Sequence, residues 1–263
     1  MFHESAADQE FRDLLARVSD DDRVAGVVLT GSRAREGAAT ERSDYDVYLV
    51  TYGDPAALPD GERRRGSKLD VVPMSLADFR THATPGTAAE WNRYAFAHAR
   101  VLRDTGDGEI ARLVAAKGTL APDEARQRAA GWLDAFCNSL YRWLKNDRDG
   151  RRAEARLDAA ESLPWLLGFL FAVHARVRPY NKWLLQDLAE HPLGPPELAA
   201  ERFGPLLEEV LDTGAATAGH RLFAIIEPLA RSAGHGEILD EWGDDVALMR
   251  GAEDRWAQRD SNP

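Results

Sequence analysis

Val24 to Thr30 is a short β-branched run that stops at Gly31, and a second apolar run, Tyr45 to Thr51, opens directly behind Asp44. Branched side chains of this kind suit a pleated surface, and a glycine at the end of such a run marks a tight turn. Two strands joined through a turn-rich linker are therefore expected here. Lys68 to Met74 reads as a third strand, after a loop at Gly53 to Ser67 rich in Pro, Gly and Arg. Ahead of them, Ser5 to about Val18 reads as a helix, with Ser5 and Asp8 in capping-box positions and Phe11, Leu14, Leu15 and Val18 on one face. Trp91 to His98 reads as helical, and Val101-Leu102 as an edge strand before the turn residues Asp104, Gly106 and Asp107.

From Pro122 onward every long segment carries helical spacing. The first helix runs to about Lys145 with Trp132, Phe136, Leu140 and Leu144 on one stripe, and Asn146 to Gly150 breaks it. A second spans about Arg152 to Val177, where Pro164 is expected to kink or restart it. Further helices are expected at Lys182 to Glu190, Pro196 to Phe203, Leu206 to Leu211, His220 to Ala233 and Asp244 to Gln258. The fold class is thus α+β: a small mixed twisted sheet with flanking helices over residues 1–120, then an all-α bundle over 121–263.

Chemistry concentrates in Gly31-Ser32-Arg33-Ala34-Arg35-Glu36-Gly37 and Ser43-Asp44-Tyr45-Asp46-Val47-Tyr48-Leu49-Val50. Strand side chains alternate, so Asp44 and Asp46 project from one face and repel unless a cation lies between them. Magnesium takes hard oxygen ligands, commonly one or two carboxylates plus substrate phosphates. Gly31 lets the backbone approach a phosphate, a helix start after it is expected to aim amides there, and the Ser32 hydroxyl adds a donor.

These residues resemble the nucleotidyltransferase superfamily that includes DNA polymerase β, whose signature is Gly-Ser, a spacer of about ten residues, and Asp-x-Asp. The pattern is most similar to the aminoglycoside and lincosamide nucleotidyltransferases and the minimal nucleotidyltransferases, which have Gly-Ser-x-Ala-Arg-Gly and then Ser-Asp-x-Asp before an apolar strand. Glu36-Gly37 stands where Arg-Gly is common, displaced by one position. The clear similarity covers about residues 24 to 74.

The resemblance implies a nucleotidyltransferase domain, a helical substrate-binding domain, and transfer of a nucleoside monophosphate, AMP from ATP, to an acceptor hydroxyl with loss of pyrophosphate. Asp44, Asp46 and Asp70 would hold two magnesium ions. Asp70 is the candidate third carboxylate because it is the only acid in its strand. Gly31, Ser32, Arg33 and Ser43 would contact the nucleotide, and Lys182, in the basic and aromatic cluster Arg178 to Trp183, would reach the triphosphate. Arg35 lies close enough in sequence to share in neutralising charge. Asp70 or Glu161 would take the acceptor proton; Glu161 shares a helix face with Asp158 and has a surface ion pair as its alternative fate. The Arg93-x4-His98 pair matches a ribonuclease-toxin pattern that chance produces easily, and no function is assigned to it.

A formal net charge of −11 argues against a general nucleic-acid binder, since phosphate affinity rests on clustered Lys and Arg. It suits a cationic small molecule, and an aminoglycoside-type antibiotic is the expected acceptor. A protein acceptor, as for an antitoxin or regulator, is the alternative. Cys137 is the sole cysteine, which excludes an internal disulfide, and the seven histidines show no zinc spacing. No stretch approaches the roughly 20 apolar residues needed to span a bilayer, and the N-terminus has no signal-peptide character, so a soluble cytoplasmic protein is expected.

Overall fold

In the computed structural model, residues 6–58 and 64–252 are described, and the chain divides into two compact units, Met1–Thr119 and Leu120–Pro263. The first unit is mixed α/β. Helix α1 (Ala6–Val18) precedes strand β1 (Val24–Thr30); then come β2 (Tyr45–Thr51), β3 (Leu69–Ser75), α2 (Leu76–Ala83), α3 (Arg93–Ala97), β4 (Arg100–Asp104) and α4 (Glu109–Gly118). The strands form one sheet in the order β3-β2-β1-β4. β1 is antiparallel to both β2 and β4, whereas β2 and β3 are parallel.

Alternation along the strands divides the core in two. Val27, Leu29, Val47, Leu49, Leu69 and Val71 point to α1 and meet Phe11, Leu14 and Val18. Ala25, Val28 and Val50 point the other way, against Phe79 of α2, Phe96 of α3 and Ile110 of α4. A strand with both faces covered reads as a continuous apolar run, which is why all of β1 is buried. Arg103 of β4 ties the sheet to the end of α1 by donating to the carbonyls of Val18, Ser19 and Asp21, a cation on the negative end of a helix.

Helices α2 and α4 were not read from the sequence. α2 begins at Ser75, the last residue of β3, whose hydroxyl caps it by accepting from the amide of Asp78 at 3.1 Å. The expected capping role of Ser5 lies outside the described residues.

The second unit is helical: α5 (Pro122–Arg148), α6 (Arg152–Ala172), α7 (Leu184–Glu190), α8 (Ala200–Thr213), α9 (Ala216–Ser232), α10 (Gly236–Glu241) and α11 (Asp245–Met249). α5 and α6 lie close because Gly168 faces Trp132; a Cβ at that glycine would sit 2.7 Å from the indole ring. Pro164 does not restart the helix: α6 runs through it from Arg152 to Ala172. Burial of Leu163, Leu166 and Leu167 in the core offsets its one missing hydrogen bond.

α6 ends at Ala172 rather than Val177, because the amide of Arg176 turns back to the Phe171 carbonyl and Ala175 takes a left-handed conformation at φ 51°. The two short helices expected around Pro196 to Leu211 are a single turn of 3-10 helix and the continuous α8. No helix among the described residues is long and apolar enough to cross a membrane. Cys137 is buried in this core, and burial pushes its thiol up to about 12, so it stays protonated.

Candidate active site

At one end of the sheet the finish of β1 meets the starts of β2 and β3. Thr30 pairs with Asp46 across the antiparallel ladder, and Asp46 pairs with Asp70 across the parallel one. The two acids are therefore neighbours on adjacent strands, and their strand positions belong to the face that packs on α2 to α4. Asp44 lies one residue ahead of β2, half-buried, with pairing beginning only at Tyr45, whose amide donates to the Lys68 carbonyl.

Gly31 supplies the wall on the other side. Its φ is +71°, and a Cβ placed on it would stand 2.0 Å from Oδ2 of Asp46. The turn backbone thus lies directly against that carboxylate, which only glycine permits. After Gly31 the chain makes two successive turns, closed by Ala34 to the Gly31 carbonyl and Ala38 to the Arg35 carbonyl. The expected helix start is absent at this point, and the segment is a loop. Ser32 is buried within it.

Side chains of the loop anchor it on both sides of the sheet. Arg33 faces α1: it pairs with Asp8 at 3.2 Å, donates to the Ser43 carbonyl and lies over the Tyr45 ring. Tyr45 stacks on Phe11 and donates to Asp8 at 2.7 Å. The Ser43 hydroxyl accepts from the Thr40 amide, closing the loop just before Asp44. Arg35 goes to the opposite face, where it is buried and donates to the Tyr94 hydroxyl at 2.8 Å. Arg33 and Ser43 therefore hold the framework around the acids, and Arg35 with Tyr94 was not recognised as a pair from the sequence.

A second buried network lies behind Asp46 on its own face. The Asn92 amide reaches the Tyr48 hydroxyl at 3.0 Å and His82 Nε2 at 2.8 Å, and Tyr48 and His82 are themselves 3.2 Å apart. Lys117, fully buried, donates to the carbonyls of His82 and Ala89 and lies over Phe96. Burial and the Lys117 charge push His82 down to about 4, and burial pushes Lys117 down to about 8. His82 is thus neutral at pH 7. Arg93, buried against the Lys117 and Thr119 carbonyls and Glu90, belongs to the same framework. His98 stacks edge-on against Tyr94.

In the helical unit, Glu161 is about half exposed and accepts from Arg142 at 2.7 Å, while the same guanidinium reaches Asp158 at 3.1 Å. Lys182 is exposed, 5.2 Å from the Trp183 ring centroid.

No family model matches the sequence, and no curated protein matches it.

Whether these acids suit a divalent cation can be judged from Asp70. Its Oδ1 is buried without a hydrogen-bond partner. A buried carboxylate oxygen left unpaired costs about 1–3 kcal/mol or more, so such an atom calls for a ligand. Among the described residues no group of three His, Cys, Asp or Glu side chains is gathered to hold a metal ion. Asp46 and Asp70 would offer two hard carboxylates to a divalent cation, the remaining ligands coming from phosphate oxygens and water.

Proposed function

We propose that this protein is a magnesium-dependent nucleotidyltransferase that moves a nucleoside monophosphate, AMP from ATP, to the hydroxyl of a small acceptor. The observation that carries this is the buried, unpartnered oxygen of Asp70 one strand away from Asp46, itself pressed against the Gly31 turn. The four-stranded mixed sheet with helices on both faces is compatible with the nucleotidyltransferase fold.

Asp46 and Asp70 would hold magnesium, with Asp44, just ahead of β2, as a further candidate ligand; the metal when bound would neutralise the triphosphate and favour pyrophosphate as a leaving group. Gly31 lets the turn backbone close on Asp46, and Ser32 would offer a hydroxyl donor to the phosphates. Arg33 and Ser43 fix the loop that presents Asp44. The acceptor oxygen forms its bond to the α-phosphorus as the bond to pyrophosphate breaks, and the acceptor proton passes to a carboxylate, for which Asp70 is the candidate within the first unit. A cationic aminosugar is the acceptor favoured by the net charge of −11. A cytoplasmic location suits an enzyme that consumes nucleoside triphosphates.

The test is pyrophosphate release and label transfer with each triphosphate, magnesium, and a panel of aminoglycosides, lincosamides and cell lysate. Asp44→Asn and Asp46→Asn are expected to abolish metal-dependent nucleotide binding. Label appearing only on a protein band overturns the small-molecule acceptor, and no transfer to anything overturns the enzyme. Asp70→Asn separates fold from function. Because it neutralises an unpaired buried oxygen, its thermal midpoint without metal should hold or rise, while the gain in midpoint that magnesium and ATP give the parent protein disappears.

A further inference from the structure

Two adjoining clefts in the helical unit share Arg126 and His235. The inner one, about 220 Å³, is walled by Ala125, Ala129, Ala172, Val173 and Ala233, with Arg126 and His235 as its only polar side chains. The outer one, about 360 Å³, adds Asp123, Gln127 and Glu237, so it is mixed in charge.

His235 marks the inner cleft as more than a surface dent. It is only 8% exposed. Its ring lies edge-on to Phe169. Within the described residues no hydrogen bond reaches either ring nitrogen, and the residue lines the cleft. Neither nitrogen is among the sealed polar atoms of the unit, so the ring, which lines both clefts, is open to water or a ligand there.

Two further features give the sign of that occupant. Pro122, at the first turn of α5, lines the cleft, and the helix starts at Ala121 without a side-chain cap; of the two acids in that turn, Asp123 is almost fully exposed and Glu124 is paired with Arg128. Arg126, one turn along, is largely exposed with a single loose contact of 3.7 Å to Asp123. Burial and the nearby Arg126 lower the imidazole's affinity for a proton, so it meets a ligand as a neutral donor.

We propose that the inner cleft binds a small carboxylate with a short aliphatic body. The carboxylate would accept from His235 and Arg126 at the head of α5, and its methylene groups would lie against the alanine walls. The volume falls below the usual range for drug-sized ligands, which limits the body to a few carbons. This site stands whether or not the first unit transfers nucleotides.

Sodium butyrate is the probe, titrated into the full chain at constant ionic strength, with the histidine ring signals followed by NMR. The His235 signal is assigned from its loss in His235→Gln, or by its edge contact with Phe169 should that variant fail to fold. The expected result is a saturable shift of His235 alone, with affinity reduced about tenfold or more in Arg126→Gln, the loss expected for one charged hydrogen bond. Ala233→Phe, at an exposed position on the cleft wall, should abolish the shift. The proposal is overturned if the shift is absent or does not saturate, if Arg126→Gln binds as well as the parent, or if inorganic phosphate produces the same shift with equal affinity.

Discussion

Gly31 shows how a single missing methyl group can define a site. Any side chain there would meet Asp46 Oδ2, and the backbone is already in the left-handed region, where other residues pay about 1–2 kcal/mol. Gly31→Ala must therefore push the carboxylate away, strain the turn, or both. Its expected outcome is a loss of about 1–2 kcal/mol in urea unfolding together with a fall of about a hundredfold in pyrophosphate release. A variant that loses the stability and keeps the turnover would show that Asp46 does not need the close approach.

His82 carries a second prediction at this scale. Its folded-state pKa, about 4, lies below the ordinary 6.5, so between those values the unfolded chain binds the proton that the folded chain refuses. The stability this gives is present above pH 6.5 and is lost as the pH falls toward 4. His82→Gln removes the titration while keeping an amide near Asn92 and Tyr48. Urea unfolding at pH 7 and pH 4.5 should show the parent losing about 1–2 kcal/mol more than the variant across that interval. Carboxylate titration is common to both proteins and cancels in the difference. Equal losses would mean that the imidazole becomes protonated without penalty inside the Tyr48 and Lys117 network.

At the level of elements, legibility followed how local the determinants were. β1 was readable because a run buried on both faces has no polar interruption and a glycine marks its end, and β2 because its β-branched and aromatic residues follow directly on Asp44. Asp70 could be singled out as the lone acid in β3, but its pairing opposite Asp46 depends on a parallel register that no sequence period encodes. α2 was missed because its start signal, Ser75, is also the last residue of a strand. α6 was read too long, since its stop is a left-handed alanine in place of the customary glycine. The loop after Gly31 escaped for a different reason. Its conformation is set by Arg33 reaching Asp8 and Arg35 reaching Tyr94, partners 25 and 59 residues away. Both arginines looked like solvated charges beside a phosphate site, and their structural use emerges only when α1 and α3 are in place.

On the scale of the whole chain, the decisive feature is that each unit encloses its own apolar core. Leu120 through Met249 contribute one continuous cluster that includes Phe136, Trp143, Phe169 and Phe223, and the sheet of the first unit is filled by two clusters drawn from Phe11 through Val114. Two buried side chains find their partners within their own unit: Trp143 donates to the Gly214 carbonyl at 2.6 Å, and Arg93 donates to the carbonyls of Lys117 and Thr119. A unit of more than a hundred residues with its own core is large enough to fold alone. Fragments 1–119 and 120–263, expressed separately, should each show a cooperative thermal transition, the second rich in helix by circular dichroism. Fragment 1–119 should also keep the magnesium-dependent rise in midpoint with ATP if Asp46 and Asp70 are its principal ligands, and Asp70→Asn in the fragment should remove it. A folded fragment 1–119 that no longer responds to magnesium and ATP would show that Asp46 and Asp70 do not suffice for the response. A fragment that fails to fold would show that the two cores are not independent.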